Sequence, residues 1–311
     1  TPGDKLEYEA NENYFDQDEM PSIKHMIWRF IPEGSARTIA LESGQVDYLY
    51  DLETVDVPKL EENPNIEVLR QDSVSLLYVM LNNEKPPFDN QMFRKALSAA
   101  IDRESIVQVT MNGFANPAIS NAPMGYTSST DENAVGYDLE KAKEYLAQSG
   151  VDPSTVEMPL IYTSDANLRT ATIIQSNLAE LGINVTLESM DNATWLASYA
   201  SGDYTAGIIS LAQRSMEQWV TTLYHSKNIG ATNGTRLNDP QVDAYLDEAA
   251  VTIDDGKRQE IMTECVAYLN DLCPTIPLYN TIYVKASNSN LGGANCDATG
   301  AAYYHWLYWK E

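Results

Sequence analysis

The chain has 311 residues, 43% of them hydrophobic and 21% charged, enough for one large or two medium domains with a real core. Its net charge of −25 argues against nucleic acid or an anionic membrane as partner, since either would repel this surface. No apolar run is long enough to cross a bilayer; the opening TPGD, without a signal peptide or initiator Met, reads as a processed or cut form. Residues 5–10 alternate Leu6, Tyr8 and Ala10 with Lys5, Glu7 and Glu9, the pattern of a half-exposed strand. Pro2-Gly3-Asp4 before it reads as a turn without its first strand, so the chain is expected to start inside a hairpin. Residues 23–31 read as a strand with Met26, Trp28 and Phe30 on one face and Ile23, Ile27 and Ile31 on the other. Ser35 is placed to cap a helix that Gly44 stops. A strand at 46–50, a helix opened by Asp56 and Pro58, and a strand at 66–70 follow. This alternation predicts a parallel, helix-covered sheet.

Residues 74–81 form a nearly continuous apolar run, as in a strand buried on both faces. Asn82 and Asn83 end it, and Pro86-Pro87 forbid a helix before Phe88. Asp89 can cap a helix whose Phe93, Ala96, Leu97, Ala100 and Ile101 make one apolar stripe. Asp102 can cap a second, with Arg103 and Glu104 in its first turn. The order of residues here resembles the extracellular solute-binding proteins of family 5, which serve ABC importers of peptides, nickel and some sugars. In that family a strand ending in Asn leads to K-P-P-F-x-D/N and then to an R-x-A-L-x-x-A-I-D-R helix. The matching positions are Asn82, Lys85, Pro86, Pro87, Phe88, Asn90, Arg94, Ala96, Leu97, Ala100, Ile101, Asp102 and Arg103. ALESGQVDYLYDL at 40–52 and YDLEKAKEYLAQSG at 137–150 are similar to two further family segments. The resemblance covers nearly the whole chain. It also places the first hairpin after a substantial N-terminal portion that is missing here.

Residues 115–136 are a long irregular segment rich in Asn, Pro, Ser and Gly. Asp138 then caps a helix stopped at Gly150. Strand 158–162, helix 166–181, strand 183–187, a helix capped by Asp191 and strand 204–210 make a second βαβαβ set. Residues 228–240 are a loop with an Asn233-Gly234 turn, and Asp239 and Asp254 open two final helices. A β-branched and aromatic strand at 275–285 follows, and the aromatic tail at 303–309 reads as a terminal strand. The resemblance implies an α/β fold of the periplasmic-binding-protein-like type II class (cluster C), with one complete lobe and part of another. Residues 78–280 are expected to form the complete lobe, and 1–77 with 281–311 the partial one. If part of a lobe is absent, exposed edges and apolar faces around Trp28, Phe30, Tyr304 or Trp306 invite self-association.

In open α/β sheets ligands sit beyond the carboxyl ends of strands, where helix N-termini offer free N–H groups. Those loops give the candidate ligand-binding residues Tyr162, Ser164, Asp165, Asn192, Ser210, Gln213 and Arg214. Asp165 and Asp191 also suit plain helix caps, and Trp195 suits the core. In oligopeptide-binding members the third loop carries Trp-x-x-Asp, whose Asp pairs with the peptide's amino terminus. Here Leu211 and Arg214 stand at those places, so a guanidinium replaces the carboxylate. Asn192 stands where those relatives often place an aromatic residue.

Cys265, Cys273 and Cys296 form no CxxC, and His25, His225 and His305 are scattered, which argues against a disulfide framework, a zinc site or direct nickel ligation. No GxSxG, HExxH, GxGxxG or Walker sequence is present, so no catalytic residue, metal or cofactor is assigned. The reading is an extracytoplasmic binding component of an ABC importer, in the periplasm or as a cell-surface lipoprotein. It would hold a peptide-like small molecule in the cleft between two lobes and engage a membrane permease. A family 5 carrier of an oligosaccharide or a chelated metal is the alternative. A surface adhesive protein or a hydrolase is more remote.

Overall fold

The computed structural model describes residues 3–311. The chain divides into two compact units: residues up to Ser73 together with Ile282–Glu311, and Val74–Thr281. In the first unit, β1 (Lys5–Glu9) pairs antiparallel with β2 (His25–Arg29), Lys5 opposite Arg29. Of the expected turn before β1, Pro2 lies outside the described residues; Gly3, at φ +76°, and Asp4 are in a turn. The parallel sheet expected across residues 23–70 does not form. The strand at 25–29 pairs instead with the one just before it, and the strand at 275–288 comes between those at 48–49 and 66–81, so no two of the expected strands are neighbours.

Helix α1 (Gly34–Glu42) is capped by Glu33, not Ser35: its carboxylate accepts from the N–H groups of Ser35 and Ala36 at 3.2 and 2.7 Å. The strand expected at 46–50 shrinks to β3 (Tyr48–Leu49). In α2 (Val57–Glu61) Pro58 sits in the first turn, while the Asp56 carboxylate accepts from the Thr38 hydroxyl at 2.6 Å instead of capping. The strands expected at 66–70 and 74–81 are one 16-residue strand, β4 (Ile66–Leu81), which passes from the first unit into the second. Gln71-Asp72-Ser73 hold no Gly or Pro to interrupt it.

The second unit adds α3 (Gln91–Ala100), α4 (Arg103–Met111), β5 (Ala115–Pro117), α5 (Leu139–Ser149), β6 (Glu157–Tyr162) and α6 (Asp165–Ala179). After them come β7 (Asn184–Ser189), α7 (Asn192–Ser201), β8 (Ala206–Leu211), α8 (Met216–Tyr224), α9 (Pro240–Val251) and α10 (Asp255–Leu272). The last long strand, β9 (Thr275–Asn288), leads back into the first unit, where β10 (Leu291–Gly292) pairs antiparallel with β11 (Tyr308–Trp309). Asp102, Asp138, Asp239 and Asp254 cap their helices as the sequence predicts. Asn90, one residue beyond the expected Asp89, caps α3 through the N–H groups of Met92 and Phe93.

The main sheet has seven strands in the order β3-β9-β4-β8-β6-β7, with β5 also on β9. It is mixed: β7, β6 and β8 run parallel, while β4 opposes β8 and β9 opposes both β3 and β5. Alternate residues of β4 feed two cores. Leu77, Val79 and Leu81 pack with Phe93, Leu97, Ile174 and Leu178, and Leu76, Tyr78 and Met80 pack with Trp195, Trp219, Val220 and Met262. This explains why the sequence of that stretch is apolar without alternation.

Two buried guanidiniums hold the helix ends of the second unit. Arg94 donates to the carbonyls of Phe88, Asp89, Leu272 and Cys273 at 2.7–3.0 Å. Arg103 donates to the carbonyls of Pro277, Ser98 and Ile101 and to the Ser98 hydroxyl at 2.7–3.1 Å. Neither has a carboxylate within ion-pair distance among the described residues. They act as multivalent clamps on backbone oxygens that would otherwise be buried without donors.

Candidate functional site

Three parallel strands of the second unit end together. Tyr162 of β6 is opposite Ser189 of β7, and Leu160 and Ile161 are opposite Ala206 and Gly207 of β8. From this edge each strand turns directly into a helix N-terminus. Ser164 caps α6 by accepting from the Asn167 N–H at 3.2 Å, and Ser215 caps α8 from the Gln218 N–H at 3.2 Å. Asp191 caps α7, accepting from the N–H groups of Ala193 and Thr194 at 3.0 Å and from the Thr194 hydroxyl. Three helix N-termini therefore open along one sheet edge, each with positive partial charge.

All seven candidate residues lie on this edge or in the loops leaving it, though not in equal roles. Tyr162 is half-buried, and its backbone carbonyl accepts from the Met190 N–H at 3.0 Å. Ser164 spends its hydroxyl on the α6 cap. Asp165 is the first residue of α6 and exposed; it is not the cap, because the serine one position earlier already fills that place. Asn192 and Ser210 are exposed, Asn192 as the first residue of α7 and Ser210 opposite Leu77. Gln213 is half-buried, and its carbonyl accepts from the Tyr126 hydroxyl at 2.6 Å. Arg214 is exposed and has no hydrogen bond or ion pair among the described residues. Arg214 is thus an uncommitted guanidinium next to the N-terminus of α8, with Glu217 in the first turn of that helix and Asp165 and Asp191 at the two neighbouring helix starts.

Trp195 is 2% exposed and belongs to the core, as expected. Its ring lies over Gly207, where an added Cβ would meet it at 2.5 Å, so β8 needs glycine there. Besides a wide-open one of about 570 Å³ around Leu146, Gly150 and Leu181, two hollows lie elsewhere. One of about 510 Å³ in the first unit is lined by Trp28, Arg37, Tyr48, Tyr50, Tyr304 and Trp309 among others. A smaller one of about 200 Å³ in the second unit includes Ser120, Met124, Asp131 and Asn280. Neither contains any of the seven candidates. Among the described residues no group of three His, Cys, Asp or Glu is arranged to hold a metal ion.

The sequence pattern of the bacterial extracellular solute-binding proteins, family 5 Middle, matches residues 1–231. The chain belongs to this family. It is 28% identical to heme-binding protein A of Haemophilus influenzae over 286 residues, covering 89% of this chain and 52% of that protein. It is 27% identical to the glutathione-binding protein GsiB of Escherichia coli (strain K12) over 290 residues, covering 89% of this chain and 56% of that one. The structure of HbpA2 from Haemophilus parasuis superposes with a TM-score of 0.86 at 25% identity, covering 100% of this chain and 62% of that one. The chain thus spans about half the length of the curated relatives it matches. Its fold is α/β, of the periplasmic-binding-protein type II class.

Within this family 5 chain, two contributors to the edge escape a reading of the sequence. Ser215 follows Arg214 directly and is legible only once α8 is known to begin at Met216. Tyr126 lies 87 residues before Gln213, and no local spacing announces such a contact. Burial pushes the Tyr126 hydroxyl up to about 12, so it stays protonated and keeps donating to Gln213.

The Asp191 cap is pH-dependent. Hydrogen bonds from the Thr194 hydroxyl and from the Thr194 and Ala193 N–H groups hold its carboxyl below the ordinary Asp value. Its contribution is complete above the unfolded-state value and is lost as pH falls through the depressed folded value. Asp191→Asn, which keeps an acceptor but cannot titrate, should therefore flatten the acid limb of amide exchange in α7. Identical acid limbs in both proteins would refute this.

Proposed function

We propose that this chain carries part of the ligand-binding machinery of an extracytoplasmic solute-binding protein that serves an ABC importer and its membrane permease. Residues 78–280 form one α/β lobe, and residues 1–77 and 281–311 contribute part of a second. The ligand is a peptide-like small molecule that presents an acidic group, and not a free ammonium, to the edge formed by Tyr162, Ser164, Asp165, Asn192, Ser210, Gln213 and Arg214. The observation that carries this reading is the unpaired Arg214 beside the N-terminus of α8. An anion there meets a fixed charge and a helix dipole together, whereas an ammonium would meet both as repulsion. Relatives named for heme and glutathione support a family 5 receptor for a small molecule. A lipid anchor at the cell surface is one form such a receptor takes.

Calorimetry with a small peptide, its N-acetylated form and a neutral oligosaccharide tests this. The acetylated peptide should bind more tightly than the free amine, and Arg214→Asp should move the preference towards the free amine. Unmodified protein that prefers the free amine, or an Arg214→Asp variant with unchanged preference, would overturn the assignment. Tighter binding of the oligosaccharide would favour a sugar carrier instead.

A further inference from the structure

The hairpin of the first unit leaves one strand edge open. β1 and β2 form a two-stranded sheet of their own, a size that is marginal in water without a further strand or a packed face. The Phe30 N–H donates to the Asp4 carbonyl at 2.9 Å, and the Ala10 N–H donates to the Lys24 carbonyl at 2.8 Å. Antiparallel bonding alternates along a strand, so Leu6 and Tyr8 bond inward to their partners Trp28 and Met26. The backbone N–H and C=O groups of Lys5, Glu7 and Glu9 therefore point away from β2. No other strand pairs with β1 among the described residues. Neither a proline nor a bulge blunts this edge, and Leu6 and Tyr8 are each 45% exposed.

We infer that this edge takes the same strand of a second copy, joining two chains antiparallel about a two-fold axis at Glu7. The axis places Lys5 opposite Glu9 of the second copy, Glu9 opposite its Lys5, and Leu6 opposite its Tyr8. Every outward-facing residue then meets another outward-facing residue, as a hydrogen-bonded antiparallel pair requires. The sheet becomes four-stranded, in the order β2-β1-β1-β2. Charge favours this occupant. Lys5, Glu7 and Glu9 share one face of the hairpin with Arg29, Ile27 and His25, and Lys5 already pairs with Glu7 there. Lys5 and Arg29 balance Glu7 and Glu9, so in a chain of net charge −25 this strip is a place where two copies meet with little repulsion. The two Lys5–Glu9 contacts select the register. On the other face Leu6 and Tyr8 cover each other across the axis. The unfavourable contact is Glu7 against Glu7 of the second copy.

The test is amide hydrogen exchange of the 311-residue chain at graded concentrations up to about 1 mM, with sedimentation velocity alongside. The expected result is a dimer in which the Glu7 and Glu9 amides slow as concentration rises. The Leu6 and Tyr8 amides, already bonded within the hairpin, should not change. A monomer throughout would overturn the inference, and this reading needs no variant to fold. Slowing confined to the hollow around Trp28 and Tyr304, with the Glu7 and Glu9 amides unmoved, would show association through another face and overturn it equally. Glu7→Gln should tighten the dimer about two- to fivefold by removing the like-charge contact. Lys5→Glu should weaken it about tenfold, and adding Glu9→Lys should restore it, because the exchange keeps each cross-strand pair. A double variant as weak as Lys5→Glu alone would overturn the inference.

Discussion

Replacing Arg103 with leucine should cost about 3–5 kcal/mol, the range for breaking a buried polar network. Arg103 is 3% exposed, and its guanidinium gathers the carbonyls of Pro277, Ser98 and Ile101 with the Ser98 hydroxyl. Leucine fills much of the space but leaves these acceptors buried without donors. The loss falls where α3 ends, α4 begins and β9 passes. Burial pushes the guanidinium down to about 10, so it remains charged at neutral pH and its hydrogen bonds are charge-assisted. Lysine should restore little, because a single ammonium cannot span acceptors arranged for a planar fork. Urea unfolding at neutral pH reads the effect as a drop in midpoint. A shift equivalent to less than about 1 kcal/mol would mean that water reaches these carbonyls once the side chain is gone.

Asn270→Leu should cost about 2–4 kcal/mol and also loosen the candidate site. Asn270 is 0% exposed and ties down the long segment that precedes α5. Its amide donates to the carbonyls of Thr130 and Glu132 at 3.0 and 2.9 Å, while its oxygen accepts from the Asn121 N–H at 2.7 Å and the Ser120 hydroxyl at 3.2 Å. That same segment carries Tyr126, which holds the Gln213 carbonyl at the sheet edge. Leucine would remove four partners at once, and the segment should open locally well below global unfolding. Hydrogen exchange should therefore quicken across residues 118–134 while α6 stays protected. Exchange that quickens equally everywhere would show a general loss of stability and not a released segment.

The sequence made local features legible and non-local ones not. The apolar stripe through Phe93, Leu97 and Ala100 and the Asp caps of α4, α5, α9 and α10 depend on residues within a turn of each other. Apart from Asp56, which turns to the Thr38 hydroxyl, the caps differ from expectation where two capable residues stand together or nearly so: Asp89 with Asn90, Asp165 with Ser164, Ser35 with Glu33. Any of these can bond the first free N–H groups, and backbone geometry at the turn decides among them. Sheet order is another matter. That β3 pairs with the far end of β9 is set by tertiary packing, and two residues of strand carry too little pattern to show it. For the candidate site, the strand-end loops were legible because helix caps follow them at once. The hold of Tyr126 on Gln213 was not, because it depends on a long segment folding back.

The most direct test of the proposed ligand edge is amide NMR of the 311-residue chain during titration with an N-acetylated peptide that keeps its free carboxylate. Saturable shifts should appear at the backbone N–H groups of residues 164–167, 192–194 and 213–218, together with the Arg214 side chain. They should fade in Arg214→Asp and with rising salt, as expected for an exposed charge. Saturable shifts confined to the aromatic hollow around Trp28 and Tyr304, with those amides unmoved, would contradict the account.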